Sequence, residues 1–213
     1  MNQITHWLDA SNVYGSGISD ARRLRTFRGG KLRTGRGVGG AEMLPDSGTN
    51  DCKGSSKRCF LAGSMFVCAG ILFGCASLFI SCWLFLILFM KRHFSLVGDL
   101  RVNEQPNLAV MHTLFLREHN RISTELKKIN PKWSDEKLYQ ESRRILIAEW
   151  QHIIYNEWLP LILGDRYMSR YGLYPLDQGY SRQYRTDFDP RITNAFASAA
   201  FRFGHSLIPR NIR

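Results

Sequence analysis

Three stretches in the second half of the chain carry apolar side chains at the spacings of amphipathic helices. In residues 106–130, which Pro106 opens, apolar positions recur three, four or seven residues apart. Residues 134–158 begin with Ser134, a good N-cap residue that two acids follow, and a third stretch covers 189–208. The apolar positions of the first stretch are Leu108, Met111, Leu114, Phe115, Ile122 and Leu126. No alternating strand pattern competes with these helices, so the sequence predicts a mainly α fold.

A continuous apolar run precedes these helices. No charged residue occurs from Phe60 to Met90, and basic pairs flank the run at Lys57–Arg58 and Lys91–Arg92. At about 1.5 Å per residue, about twenty helical residues span a bilayer core of about 30 Å. The pattern therefore predicts an apolar segment with transmembrane character. The first 50 residues are predicted to be loop with one or two short helices.

The chain is strongly basic, with 29 lysines and arginines against 18 acids and a formal net charge of +11. Such an excess predicts attraction to anionic surfaces. Seven of the basic residues lie between Arg22 and Arg36, a segment we call the basic loop. Charge runs of this kind usually face water. A nucleic-acid site would need aromatic side chains for base stacking, and only Phe27 occurs there. No nucleic-acid partner is therefore expected.

The five cysteines are an odd number, so at least one thiol is free or pairs elsewhere. Cys52 and Cys59 flank a short polar loop, a spacing that suits a disulfide in an oxidising compartment and equally suits a reduced pair. The remaining cysteines lie within the apolar run, where cysteine usually acts as a small hydrophobe. The sequence opens without a secretory signal, which predicts either that the protein is not exported or that its true beginning lies upstream.

One histidine near the end of the third helical stretch could ligate a metal. His205 stands among apolar and aromatic residues, and a neutral imidazole binds iron through one nitrogen while the other donates a hydrogen bond. By pattern alone, a lone histidine in such a helix is more often a core residue. Likewise, Arg101 by itself reads as a surface arginine, and Glu104 as an acid that the dipole favours at a helix N-terminus.

Four segments together resemble one protein family. The segment 98–106 reads GDLRVNEQP and 111–122 reads MHTLFLREHNRI, while ITHWLDASNVYG covers 4–15 and a DPRI motif precedes 200–208. These motifs resemble those of the animal haem peroxidases, and most of all those of the peroxidasin-like members of that family. The resemblance covers nearly all of the chain except about 35 residues in the middle. It implies a fragment of the helical peroxidase fold, interrupted by the apolar segment.

The resemblance implies roles on both sides of a haem b. His205 matches the proximal ligand of the iron, and Arg202 is counted with the residues that bind the cofactor. Arg101 matches the distal arginine, whose permanent charge would stabilise negative charge on peroxide as its O–O bond breaks. Glu104 matches the carboxylate that forms an ester with a haem methyl. Gln105 stands where some members carry a haem-linked methionine, so that link and chloride oxidation are not expected.

The same resemblance implies a calcium site and a reaction. The calcium ligands would be oxygens of Thr5, Trp7, Asp9 and Ser11, hard donors that calcium prefers, although alternate polar residues also form simple turns. The implied reaction is reduction of hydrogen peroxide with oxidation of a halide or a small organic donor, in a secreted or extracellular setting. No histidine of this chain matches the family's distal base. The chain itself is therefore expected to be weakly active or inactive.

The sequence predicts three parts, 1–63, 64–97 and 98–213. The first contains the calcium and basic loops, and the last contains the residues of the haem pocket. When the middle part is removed, its flanks rejoin into the family pattern, which favours a translated intron or a mis-joined gene model over a membrane anchor. The alternative function is a membrane-inserted, catalytically inactive fragment, with the membrane contacted through residues 60–90.

Overall fold

A computed structural model of the chain describes residues 5–46, 95–104 and 106–207. The described residues divide into two compact units. The larger unit comprises residues 9–46, 95–104 and 106–153, and the smaller comprises residues 5–8 and 154–207.

Two long helices, α3 (Pro106–Ile129) and α4 (Asp135–His152), pack against each other in the larger unit. Pro106 is the first residue of α3, a position where the missing N–H costs nothing. Ser134 caps α4, and its Oγ accepts a hydrogen bond from the Lys137 backbone N–H at 3.3 Å. The two helices predicted here are confirmed. A π-helical turn, Ile153–Trp158, directly follows α4 and covers the rest of the second predicted helix.

Short elements of the N-terminal segment cover the face of α3. They are α1 (Ser11–Tyr14), α2 (Ile18–Leu24), and strands β1 (Gly35–Arg36) and β2 (Glu42–Met43), which pair antiparallel. The buried core joins α1, α2 and the loop residues Leu32 and Leu44 to both long helices and to a 3-10 helix, Leu100–Glu104. Its apolar members are Ala10, Val13, Tyr14, Leu24, Leu32, Leu44, Val97, Val102, Phe115, Leu116, Ile122, Tyr139 and Leu146.

The chain meets itself on either side of residues 47–94. Asp46 and Ser95 form an antiparallel bridge, and the Leu96 backbone N–H donates to the Pro45 carbonyl at 2.7 Å. The segments before and after this stretch therefore belong to one folded unit and share its core.

The predicted fold class needs one correction, concerning the transmembrane character of an apolar segment. In the ranges that the structure describes, no helix is long and apolar enough to cross a membrane. The longest, α3, has 24 residues, but charged side chains recur along it, among them the exposed Arg117 and Arg121. The transmembrane part of the prediction is not retained. The apolar run 60–90 itself lies outside the described residues.

The smaller unit is built from short helices. They are α5 (Leu159–Leu163), α6 (Asp165–Arg170), α7 (Asn194–Ser198) and a 3-10 helix, Ala200–Leu207. The prediction that the third helix opens at Asp189 is wrong. The Asp189 carboxylate instead accepts the Arg191 backbone N–H at 3.0 Å in a local turn, and Thr193 caps α7 by accepting from the Phe196 N–H.

Candidate functional site

Arg101 lies on the 3-10 helix Leu100–Glu104 of the larger unit. Its Nε is 3.0 Å from both carboxylate oxygens of Asp99, and its Nη2 is 2.5 Å from Oδ2. The side chain is 57% exposed, so the guanidinium is paired with the Asp99 carboxylate and still faces outward. Val102, fully buried, anchors the same helix in the core. A fixed, charged guanidinium on a buried frame suits the electrostatic role predicted for Arg101.

Asp99 is held in turn by its neighbours. Burial raises the pKa of the Asp99 carboxyl. The hydrogen bonds from Arg101, together with the charges of Arg101 and His112, lower the pKa by more than burial raises it, so the net pKa is below its usual range. Asp99 is therefore ionised at neutral pH and keeps Arg101 paired.

Gly98 allows the segment that carries Arg101 to pack closely against α1. A β-carbon at Gly98 would lie 2.3 Å from the Ser11 carbonyl oxygen and 2.3 Å from the Gly15 nitrogen, so only glycine allows this approach to α1. The segment carrying Arg101 therefore packs directly on the helix that Ser11 begins. The larger unit contains both of these predicted site residues, Arg101 and Ser11.

His205 lies on the 3-10 helix Ala200–Leu207 of the smaller unit, and its side chain is exposed. Its Nδ1 is 2.9 Å from the Arg202 carbonyl oxygen. Because a carbonyl only accepts, Nδ1 is the donor, and in the neutral imidazole this tautomer leaves the lone pair on Nε2. No residue in the described part of the chain occupies Nε2. This is the arrangement that iron-binding histidines adopt, with one nitrogen fixed by a backbone carbonyl and the other available to the metal. The residues present therefore fit a haem iron ligand.

Arg202 supports His205 through its backbone. Its carbonyl accepts from the imidazole, while its own Nε donates to the Ala197 carbonyl at 3.3 Å and its side chain is exposed. The guanidinium therefore remains able to approach an anionic group such as a haem propionate.

The four predicted calcium residues form two local turns. In the smaller unit, the Trp7 backbone N–H donates to Thr5 Oγ1 at 3.1 Å, and in the larger unit the Ser11 N–H donates to Asp9 Oδ1 at 3.0 Å. These are the simple turns that polar residues at alternate positions also produce. Oxygen donors suit calcium, but among the residues that the structure describes, no group of three acidic, histidine or cysteine side chains could hold a metal ion.

Several predicted residues lie outside the described part of the chain. They are the disulfide candidates Cys52 and Cys59, and Gln105. The backbone of Glu104 ends the helix that carries Arg101, but its side chain is also outside the description.

Sequence reasoning missed a buried polar network built on α3. His119 is fully buried; its Nε2 donates to the Gly30 carbonyl and its Nδ1 accepts from the Tyr14 hydroxyl, both at 2.8 Å. Asn120 pairs with both backbone groups of Leu32, and Ser123 donates to the Gly29 carbonyl. The side chains of His119, Asn120 and Ser123 therefore hold the backbone of the basic loop. The sequence does contain a signal for this network, because a polar residue on the apolar face of a helix needs a buried hydrogen-bond partner.

The His119 imidazole makes the stability of the fold dependent on pH. Burial lowers its pKa to about 4, from an ordinary value of 6.5. Between these values the unfolded chain binds a proton that the folded chain does not, so the free energy of unfolding falls as the pH decreases from about 6.5 towards 4, by about 3 kcal/mol in total. Urea unfolding at several pH values measures this. A variant with leucine at position 119 should lose the dependence in that window, and an unchanged slope would contradict the assignment.

The model of the family described as animal haem peroxidase matches residues 1–71 and 89–213. The chain belongs to the animal haem peroxidase family. The family predicted from the sequence motifs is thereby confirmed, and the match includes both ends of the apolar run, leaving residues 72–88 between its two parts.

Among curated animal haem peroxidases, the chain is 40% identical to the chorion peroxidase of Drosophila melanogaster over 213 residues, covering 98% of this chain and 22% of that protein. It is also 40% identical to the peroxidasin of the same organism, covering 98% of this chain and 12% of that protein. A solved structure, peroxidase A from Dictyostelium discoideum, matches with a TM-score of 0.63 and 27% identity over 96% of this chain and 32% of that chain. The chain thus spans less than a third of each of these relatives.

Proposed function

We propose that this chain contributes the proximal side of a haem site, with Nε2 of His205 as the axial ligand of the iron. The observation that carries the proposal is the hydrogen bond from Nδ1 to the Arg202 carbonyl, which fixes the tautomer and leaves Nε2 available. Family membership supports haem as the group to be bound. Haem, when bound, supplies the iron at which peroxide is reduced.

The reaction proposed for the complete protein is reduction of hydrogen peroxide with oxidation of a halide or organic donor. Arg101 would act on the distal side, where its guanidinium stabilises negative charge on the departing peroxide oxygen. Asp99 keeps that guanidinium oriented by a two-pronged ion pair. Glu104 is the proposed site of the ester link to haem, and Thr5, Trp7, Asp9 and Ser11 are the proposed calcium ligands. Arg202 would contact a haem propionate. An extracellular location is part of the same proposal.

The 213-residue chain alone is proposed to bind haem better than it turns over peroxide. Peroxide cleavage needs a base that moves a proton between the two oxygens, and no histidine of this chain matches the family's distal position. Arg101 cannot replace that base, because a guanidinium stays protonated at physiological pH.

Haem titration tests the proposed ligand. We expect the purified chain to give a Soret band with haem that saturates at one haem per chain, and His205→Ala to lose it. The matched control is His152→Ala, since His152 is another exposed histidine. The same spectrum from the chain and from His205→Ala would contradict the assignment.

A further inference from the structure

The basic loop carries six cations that form no ion pair with another described residue. Arg22, Arg23, Arg28, Arg33 and Arg36 are exposed and Lys31 is half-buried, and Arg36 lies opposite Glu42 in the β1–β2 pair. The segment 22–36 contains no aspartate or glutamate. Elsewhere in the described chain, exposed arginines such as Arg121, Arg144 and Arg191 are paired with nearby carboxylates. The loop places these six cations within 15 residues, a dense cluster of positive charge.

The backbone of this loop is held rather than free. Arg25 and Leu32 form an antiparallel bridge, and the Thr26 N–H donates to the Lys31 carbonyl at 3.0 Å. Side chains of the long helices hold the turn between them, and these anchors are His119, Asn120, Ser123 and Asp135. These hydrogen bonds satisfy backbone groups of the turn and fix its conformation.

The bridge limits how far the α-carbons of these cations can lie from it. A bridged pair of α-carbons lies about 5 Å apart, and consecutive α-carbons are about 3.8 Å apart. Arg22 and Arg28 are each three residues from Arg25, and Arg36 is four residues from Leu32. Each of these α-carbons therefore lies within about 15 Å of the bridge.

We infer that the basic loop is a preformed binding surface for a sulfated polysaccharide. A fixed array of cations loses little entropy when it binds a polyanion, and guanidinium groups match the oxygens of sulfate with paired hydrogen bonds. A nucleic acid would also need several aromatic faces on which its bases stack, but Phe27 is the only aromatic residue of the segment 22–36, and the Arg25 guanidinium covers one face of its ring at 4.8 Å from the centre. The inference is independent of haem binding.

The test compares two triple variants that lose the same charge. Arg22→Ser, Arg28→Ser and Arg36→Ser together remove exposed cations of the loop. Lys132→Ser, Arg166→Ser and Arg182→Ser remove three exposed, unpaired cations elsewhere in the described chain. Binding to immobilised heparin, to polyuridylate RNA and to phosphatidylserine vesicles is measured for the full chain and both variants at several salt concentrations. Urea unfolding verifies that both variants are folded.

We expect the full chain to bind heparin most tightly of the three probes. The loop variant should lose affinity for heparin by about tenfold or more, and the control variant by less than about threefold. The slope of log Kd against log salt should fall by about two to three for the loop variant, since about one counterion is released per cation in contact. Equal losses in both variants, no binding to heparin, or tighter binding to RNA or vesicles would overturn the inference.

Discussion

Gly30→Ala is expected to lower the free energy of unfolding by about 2–5 kcal/mol. Gly30 has a φ of +70°, a conformation that costs an L-residue about 1–2 kcal/mol. In addition, its β-carbon would lie 2.6 Å from the Tyr139 nitrogen and 2.6 Å from the Leu138 β-carbon. Relieving these contacts would require the backbone of α4 to shift, so overpacking adds about 1–3 kcal/mol. Urea unfolding of both proteins at pH 7 measures the difference.

The neighbouring glycine provides a matched control. Gly29 has a φ of +64°, but a β-carbon there would meet no heavy atom within 4 Å. Gly29→Ala should therefore show only the backbone cost, about 1–2 kcal/mol. The difference between the two variants isolates the close approach of the loop to α4. Equal losses would mean that the loop does not lie against α4 as described.

His119→Leu should cost about 2–6 kcal/mol of unfolding free energy. The substitution replaces the imidazole with an apolar side chain of similar size. It leaves two buried groups, the Tyr14 hydroxyl and the Gly30 carbonyl, without partners. Each unsatisfied buried polar group costs about 1–3 kcal/mol. Burial also raises the pKa of Tyr14, so ionisation of the hydroxyl offers no relief. Urea unfolding at pH 7, above the titration of His119, measures the loss without a contribution from protonation.

His112 is the control for this variant, because it is also buried on α3. Its Nδ1 is 2.8 Å from the Leu108 carbonyl one turn back, while its Nε2 is buried without a partner. His112→Leu removes that unsatisfied nitrogen and should change stability by less than about 1 kcal/mol. If it instead costs as much as His119→Leu, burial alone rather than the hydrogen-bond network explains both effects.

The sequence predicted the long helices because their apolar spacing and capping residues are local properties. It placed Met111 and Leu114 in the buried stripe of α3, yet both are exposed, while His112 and His119 take buried positions. Hydrophobicity gives no weight to a polar side chain whose partner is distant in sequence. Gly30 is 89 residues from His119, so the network that holds the basic loop appears only in three dimensions.

The candidate site was predicted by resemblance, but its geometry was not. Sequence motifs singled out His205 and Arg101, and the structure adds the groups that orient them. Arg202 supplies its carbonyl to His205, and Asp99 supplies both oxygens to Arg101. Both partners are within three residues of the side chain they hold, yet the backbone geometry that lets them reach it cannot be read from spacing.

Resonance Raman spectroscopy of the reduced, haem-loaded chain tests the central claim most directly, because the stretching vibration between iron and a histidine nitrogen reports the axial bond itself. Labelling the histidines with nitrogen-15 should shift this band. We predict that the band is present in the full chain and in His152→Ala, and absent in His205→Ala. A labelled band that persists unchanged in His205→Ala would show that another histidine holds the iron.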